Sequence, residues 1–210
     1  MRIVAGLRTQ GVSDEQVIVR VKSENLFQYP TERMVANRAT VCLRRLDAMV
    51  PTDAACAARG IDPKTAVEAA LSLTGLMASG TPTQADQAIF YSMICHSMIC
   101  RYDIVREFVL VEVGERLQNF DHAFTAADLN AFMTRFTTEY PDAARWTEAT
   151  VKRIKGSIRQ TLRHAGLIGE GMGPESERLS PLFLDSDVER ALVQLGEQPL
   201  IAALTGREVM

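Results

Sequence analysis

The sequence predicts a mainly α-helical protein. An N-terminal helix-turn-helix-like unit is expected over 1–50, a helical core over 51–120, and a C-terminal winged-helix-like unit with a small β-hairpin over 121–210. Three observations carry this expectation. Ala, Leu, Val, Arg and Thr dominate while aromatic residues make up only 6%, a balance that leans towards helices. Ser, Thr, Pro and Gly punctuate apolar-periodic segments at helix-length intervals. Strand and turn character enters after the amphipathic stretch 147–165, where a hairpin would complete a winged helix.

Taken in order, residues 1–10 suit a short helix. Ser13-Asp14-Glu15, following Gly11, supplies an N-cap hydroxyl and first-turn acids, and predicts a second helix over 14–25. Tyr29-Pro30-Thr31 breaks the chain and caps a third helix over about 31–49, ending before Pro51. Three short helices with tight turns give the helix-turn-helix outline. Gly60 closes a short helical piece, and Pro63 opens another that runs to about 78. ASGTPT (78–83) is a break in which Thr83 can cap the next segment. From 84 to 118 the pattern is helical and strongly apolar, with a kink near Arg101. Phe124-Thr125 starts a helix that Pro141 stops after Tyr140. Trp146-Thr147 starts the next, which ends at Gly166 in a C-cap role. GLIGEG and LSPLFL read as two short strands around the polar tip GPESER, and DSDVERALVQL (185–195) returns to helix.

Composition excludes several classes. With 47% hydrophobic and 23% charged residues, this is a globular chain and not a disordered one. The N-terminal apolar run before Arg8 is too short for a signal peptide. The longest mostly apolar stretch, AIFYSMICHSMIC, falls short of the roughly 18 residues of a membrane helix. A soluble, cytoplasmic protein without membrane contact is expected. Cys42, Cys56, Cys95 and Cys100 show no disulfide-framework spacing and read as reduced thiols.

Little in the sequence points to catalysis, a cofactor or a metal. Cys95, His96 and Cys100 match no zinc spacing. On a helix, Cys95 lies about 140° from Cys100 and about 100° from His96, so core packing is the expected role. GEGMG (169–173) follows a helix and lacks the Lys-Ser/Thr of a P-loop, which makes it a hairpin turn. The acids Glu112/Glu115 and Asp103/Glu107 lie at helical spacing near Arg106 and Arg116, where surface ion pairing accounts for them. No constellation assigns a nucleophile, a base and oxyanion donors, so a non-enzymatic protein is expected.

Charge is the informative feature. The net charge is −3, yet residues 145–169 hold six Lys/Arg against one Asp/Glu, and residues 1–50 hold eight against five. A polyanion meets such segments and not the average. In TVKRIKGSIRQTLRHAGLI (150–168), Val151, Ile154, Ile158, Leu162 and Ala165 fall within about 80° of the helical wheel, a core-facing stripe. Lys152, Lys155, Arg159 and Arg163 form a second stripe about 100° away, with Arg153 on the opposite flank. Four cations along roughly 16 Å can follow successive phosphates. Gly156 and Ser157 keep bulk low for close approach, while Gln160 and Thr161 offer neutral hydrogen bonds. Arg33, Arg38, Arg44 and Arg45 form a second, weaker basic set that Glu32 and Asp47 dilute.

Three segments, GVSDEQVIVRVKSENLFQYPTERMVANRATVCLRRL (11–46), MICRYDIVREFVLVEVGERL (98–117) and FTAADLNAFMTRF…RWTEATVKRIKGSIRQTLRHAGLI (124–168), carry a family likeness. In their content and order the chain resembles the BrxA family, small subunits of the BREX bacteriophage-exclusion systems, partly similar to the RNA-binding antitermination factor NusB. The resemblance implies a cytoplasmic, mainly helical, non-enzymatic protein connected with double-stranded DNA binding in phage defence. Its expected partners are duplex DNA and larger BREX subunits, among them a methyltransferase and ATPases. It also implies a short leader, where this chain starts almost directly on its first helix. It transfers no residue-level roles, so the basic residues named above rest on charge geometry. Two other readings stand beside DNA binding. One is a protein–protein adaptor that docks through the apolar middle and acidic tail. The other is RNA binding, which the scarcity of aromatics in the basic segments disfavours.

Overall fold

The computed structural model describes residues 1–79, 84–170 and 177–207, the side chains of 84–91 and 170 excepted. The chain runs through α1 (Arg2–Thr9), α2 (Asp14–Ser23), α3 (Glu32–Ala48), α4 (Asp53–Arg59), α5 (Pro63–Ser79) and α6 (Gln84–Arg101). Next, α7 (Asp103–Glu107) passes through a π-helical turn, Phe108–Val113, into α8 (Gly114–Gln118). Strand β1 (Ala123–Phe124), α9 (Ala126–Glu139), a 3₁₀ turn (Ala143–Arg145) and α10 (Glu148–Ala165) follow. The strands β2 (Ile168–Glu170) and β3 (Glu177–Leu179) then lead to α11 (Ser186–Gln194) and α12 (Gln198–Thr205). The protein is mainly helical, with one small antiparallel sheet ordered β1-β3-β2.

Helix starts fall where the caps put them. Ser13 forms a capping box with Gln16, and the hydroxyls of Thr31, Thr125 and Thr147 accept from the backbones of Met34, Asp128 and Thr150. Gly60 and Gly166 end α4 and α10 in the left-handed region. The expected kink is at Tyr102, where the backbone turns extended (φ −128°, ψ 108°). Thr83 and the tip 171–176 lie outside the described residues, so the capping of α6 and the turn after Glu170 are not placed.

Three expectations need correction. The second hairpin strand is Glu177–Leu179, which shares only Leu179 with the expected LSPLFL segment and takes in the end of the expected GPESER tip, because residues 177–179 find partners on both sides. Phe124 does not open a helix: with Ala123 it forms β1 against β3. A helix after residue 197, α12, was not anticipated.

Two compact units divide the chain: residues 1–101 with 185–197, and residues 102–184 with 198–210. Positions 50/51 lie within the first, and 120/121 within the second. In the first unit, Val4, Ala5 and Leu7 of α1 pack against α5, whose inner face is Ala66, Ala69, Ala70 and Leu73. Small side chains there let the two helices approach closely. α2 packs on α3 and α11 on α5. Arg59 staples the end of α11 by donating to the Leu195 carbonyl (3.0 Å) and pairing with buried Glu197 (2.8 Å). Gly196 must be glycine there, since its φ is +67° and a Cβ would lie 3.1 Å from Arg59.

The second unit is built on Phe108, whose ring meets Phe124 and Phe132 edge-on with centroids 6.0 and 4.9 Å away. α12 covers the π-helical turn and α8, and the approach is close: a Cβ on Gly114 would stand 3.0 Å from that of Ala203. Arg116 pairs with Asp121 and Asp128 (2.6 Å each) and donates to the Ala123 carbonyl (2.9 Å), which pins β1 and the start of α9 together. Phe136 stacks on Tyr140 (4.2 Å) and Trp146 (6.0 Å), fixing the corner between α9 and α10.

Candidate nucleic-acid interface

The corner just described presents α10 to solvent. Of its expected core stripe, Ile158, Leu162 and Ala165 are buried, while Val151 and Ile154 are half-buried, so the N-terminal half of the helix stands further out. Lys152, Arg153, Gln160 and Arg163 are exposed, and Lys155 and Arg159 half-buried.

The four cations of the main stripe do not share one fate. β3 turns Glu177 inward with Leu179, and its carboxylate, 8% exposed, sits between two arginines. Arg159 Nε donates to Glu177 Oε2 at 2.6 Å, and Arg163 Nη2 donates to Oε1. The C-terminal half of the stripe is therefore partly neutralised by the hairpin. The N-terminal half is not. Lys155 Nζ donates to Asn130 Oδ1 of α9 at 2.7 Å, a neutral acceptor that fixes the ammonium and leaves its charge. Among the described residues, no carboxylate lies within ion-pair distance of Lys152, Arg153 or Lys155. Thr161, expected to offer its hydroxyl outward, donates instead to the Ser157 carbonyl (2.8 Å).

Between α9 and the N-terminal half of α10 lies a cavity of about 310 Å³. One wall is Lys152, Lys155, Gly156 and Arg159; the other is Thr125, Ala126, Leu129 and Asn130, with Phe124 below. Gly156 keeps its wall open: a Cβ there would meet nothing within 4 Å.

Arg33, Arg38, Arg44 and Arg45 all lie on α3, the first three exposed and Arg45 half-buried. Glu177, Asn130 and Thr125 escaped sequence reasoning. An inward acid was readable in the alternation of Glu177 and Leu179, but its partners were not.

Elsewhere, Met93, Cys95, His96, Met98 and Ile99 are buried in α6, as core packing requires. Burial pushes the Cys95 thiol up to about 12, while His96 Nε2 lies 3.3 Å from Cys100 Sγ one turn on. Glu107 of α7 and Glu112 of the π-helical turn also find a cation from another helix. Arg135 of α9 reaches Glu112 at 2.7 Å and Glu107 at 3.7 Å, while Arg116 faces Asp121 and Asp128. These contacts join α9 to the preceding helix, a structural use of charge. No helix among the described residues is long and apolar enough to cross a membrane.

The BrxA family model matches residues 1–196. The chain belongs to the BrxA family. A curated relative, the BREX protein BrxA of Escherichia coli O9:H4 (strain HS), is 22% identical over 132 residues, 63% of this chain. The match spans 58% of that relative's length. A crystal structure of an uncharacterized protein from Magnetospirillum magneticum shares the fold of this BrxA-family chain, with a TM-score of 0.69 at 16% identity. That likeness covers 98% of this chain and 91% of the other.

Proposed function

We propose that this chain is a non-enzymatic, cytoplasmic component of a BREX phage-defence system that binds double-stranded DNA, mainly through phosphates. Family membership supports the BREX role, and with it partners among the larger subunits, methyltransferase and ATPase. The observation that carries DNA binding is α10. It is the second helix of a pair, followed by a hairpin, with an outer face whose cations at 152, 153 and 155 have no carboxylate partner among the described residues. The run helix, strand, helix, helix, strand, strand, with sheet order β1-β3-β2, supports the winged-helix reading. In the related helix-turn-helix proteins the second helix enters the major groove. On this reading Lys152, Arg153, Lys155 and Gln160 face the duplex, with Arg159 and Arg163 held by Glu177 at the hairpin side. Arg33, Arg38, Arg44 and Arg45 add a weaker, separate contact set.

The adaptor reading keeps one specific support: Phe120 and Phe183 are 83% and 96% exposed. Binding of the full chain to labelled duplex DNA and to single-stranded RNA, across a salt series, separates the readings. Duplex binding with a steep salt slope, ahead of RNA, is the expected result. No duplex binding at low salt would put the adaptor first.

A further inference from the structure

The cavity beside α10 identifies where along the helix an anion would settle. Its charged wall offers Lys152 and Lys155, with no carboxylate within ion-pair distance among the described residues, whereas Arg159 at its far edge is already held by Glu177. Asn130 reaches across from α9 and holds the Lys155 ammonium at 2.7 Å, so that cation is positioned in advance. Gly156, next to Lys155 on the same wall, lets a ligand approach the helix backbone. The remaining surface, Leu129 and Phe124, is apolar, and both residues are at most 4% exposed. A volume of about 310 Å³ lies at the small end of ligand sites. It suits one anionic group with a short apolar neighbour.

We propose that this cavity seats a single phosphodiester of a nucleic-acid backbone. Its anionic oxygens meet Lys152 and Lys155, and the adjoining sugar lies against Leu129 and Gly156. The seat turns a diffuse electrostatic contact into one defined register point, since a phosphate held in a concave site fixes where the helix lies on the duplex. The identity of the strand rests on the DNA-binding reading above. The phosphate chemistry does not, because inorganic phosphate offers the same oxygens.

The test uses the full-length chain and two probes. Inorganic phosphate is titrated while the amide signals of Lys155 and Gly156 are followed by NMR, and duplex affinity is measured by anisotropy. Saturable movement of those two signals is expected. Gly156→Glu places a carboxylate in the seat, and is expected to abolish the phosphate response and weaken duplex binding by about 30-fold. Lys64→Ala on α5, an exposed cation outside the proposed contact sets, changes the net charge by the same unit and is expected to cost less than about 3-fold. Equal losses from Gly156→Glu and Lys64→Ala would overturn the seat while leaving DNA binding intact. A chain that binds no duplex yet shows the saturable phosphate response would keep the seat and sink the DNA reading. Absence of that response overturns the seat whatever the duplex does.

Discussion

α3 and α10 carry similar numbers of cations and end as different surfaces. On α3, Arg33 and Arg44 fall on nearly one face, while Arg38 and Arg45 lie about 120–140° around the helix. No stripe results, and acids stand close by: Glu32 pairs with Lys22 at 2.9 Å and Asp47 with Arg8 at 2.7 Å. On α10 the main cations stay within about 80°, and other elements shape them. Glu177 gathers two of them, Asn130 aims a third, and the first turn of α9 supplies a facing wall. A run of positive charge becomes a candidate site where neighbouring elements divide and orient it. The count of cations does not decide it.

Charge reversal applies the widest pressure to that distinction. Lys152→Glu/Lys155→Glu is expected to weaken duplex binding by about 100-fold at about 0.1 M salt, because it removes two phosphate contacts and adds repulsion. Arg33→Glu/Arg44→Glu alters charge equally and should cost less than about 5-fold. Anisotropy titrations of both doubles, with circular dichroism to verify folding, make the comparison. Equal losses would mean that α10 has no privilege over α3.

Glu177 offers a sharper test, since here the expected change is a gain. Glu177→Gln keeps an acceptor for one arginine and removes the charge that ties down both. Duplex affinity should rise about 5-fold at low salt, with the salt dependence steeper by about one phosphate equivalent. The variant should also lose about 1 kcal/mol of stability, a modest figure because Arg159 and Arg163 are 39% and 60% exposed and their pairing is screened. Weaker binding without unfolding would show that Glu177 orients the arginines for DNA and does not withhold them.

Much of the fold was legible because its signals are local. Ser13, Thr31 and Thr147 announce their helices through a hydroxyl and the next turn of backbone, and Gly60 and Gly166 end theirs through a left-handed residue. The third strand was not legible: Ala123 and Phe124 are two residues long, and their partners Arg178 and Glu177 lie far along the chain. Such pairing is decided by tertiary context and not by propensity. α12 was missed although Pro199 at its start was a usable signal. The cations at 152, 155, 159 and 163 were readable as a stripe from helical spacing alone. Their division was not, because Glu177 and Asn130 reach them from other elements.

The smallest expected effect isolates positioning from charge. Asn130→Ala leaves every cation of α10 in place and removes only the acceptor that holds Lys155 at 2.7 Å. A free lysine side chain must be ordered again when a phosphate binds, at a cost of about 0.5–1 kcal/mol for a rotamer-rich group. Duplex affinity should therefore fall only about 2- to 5-fold, with the salt slope unchanged because the number of phosphates met is the same. Asn130→Asp is the informative companion. It keeps the acceptor but neutralises Lys155, and should both weaken binding further and flatten the slope by about one phosphate equivalent. If the two variants behave alike, Asn130 does nothing for Lys155 that a bare charge would not do. The advantage of α10 over α3 would then reduce to the spacing of its cations.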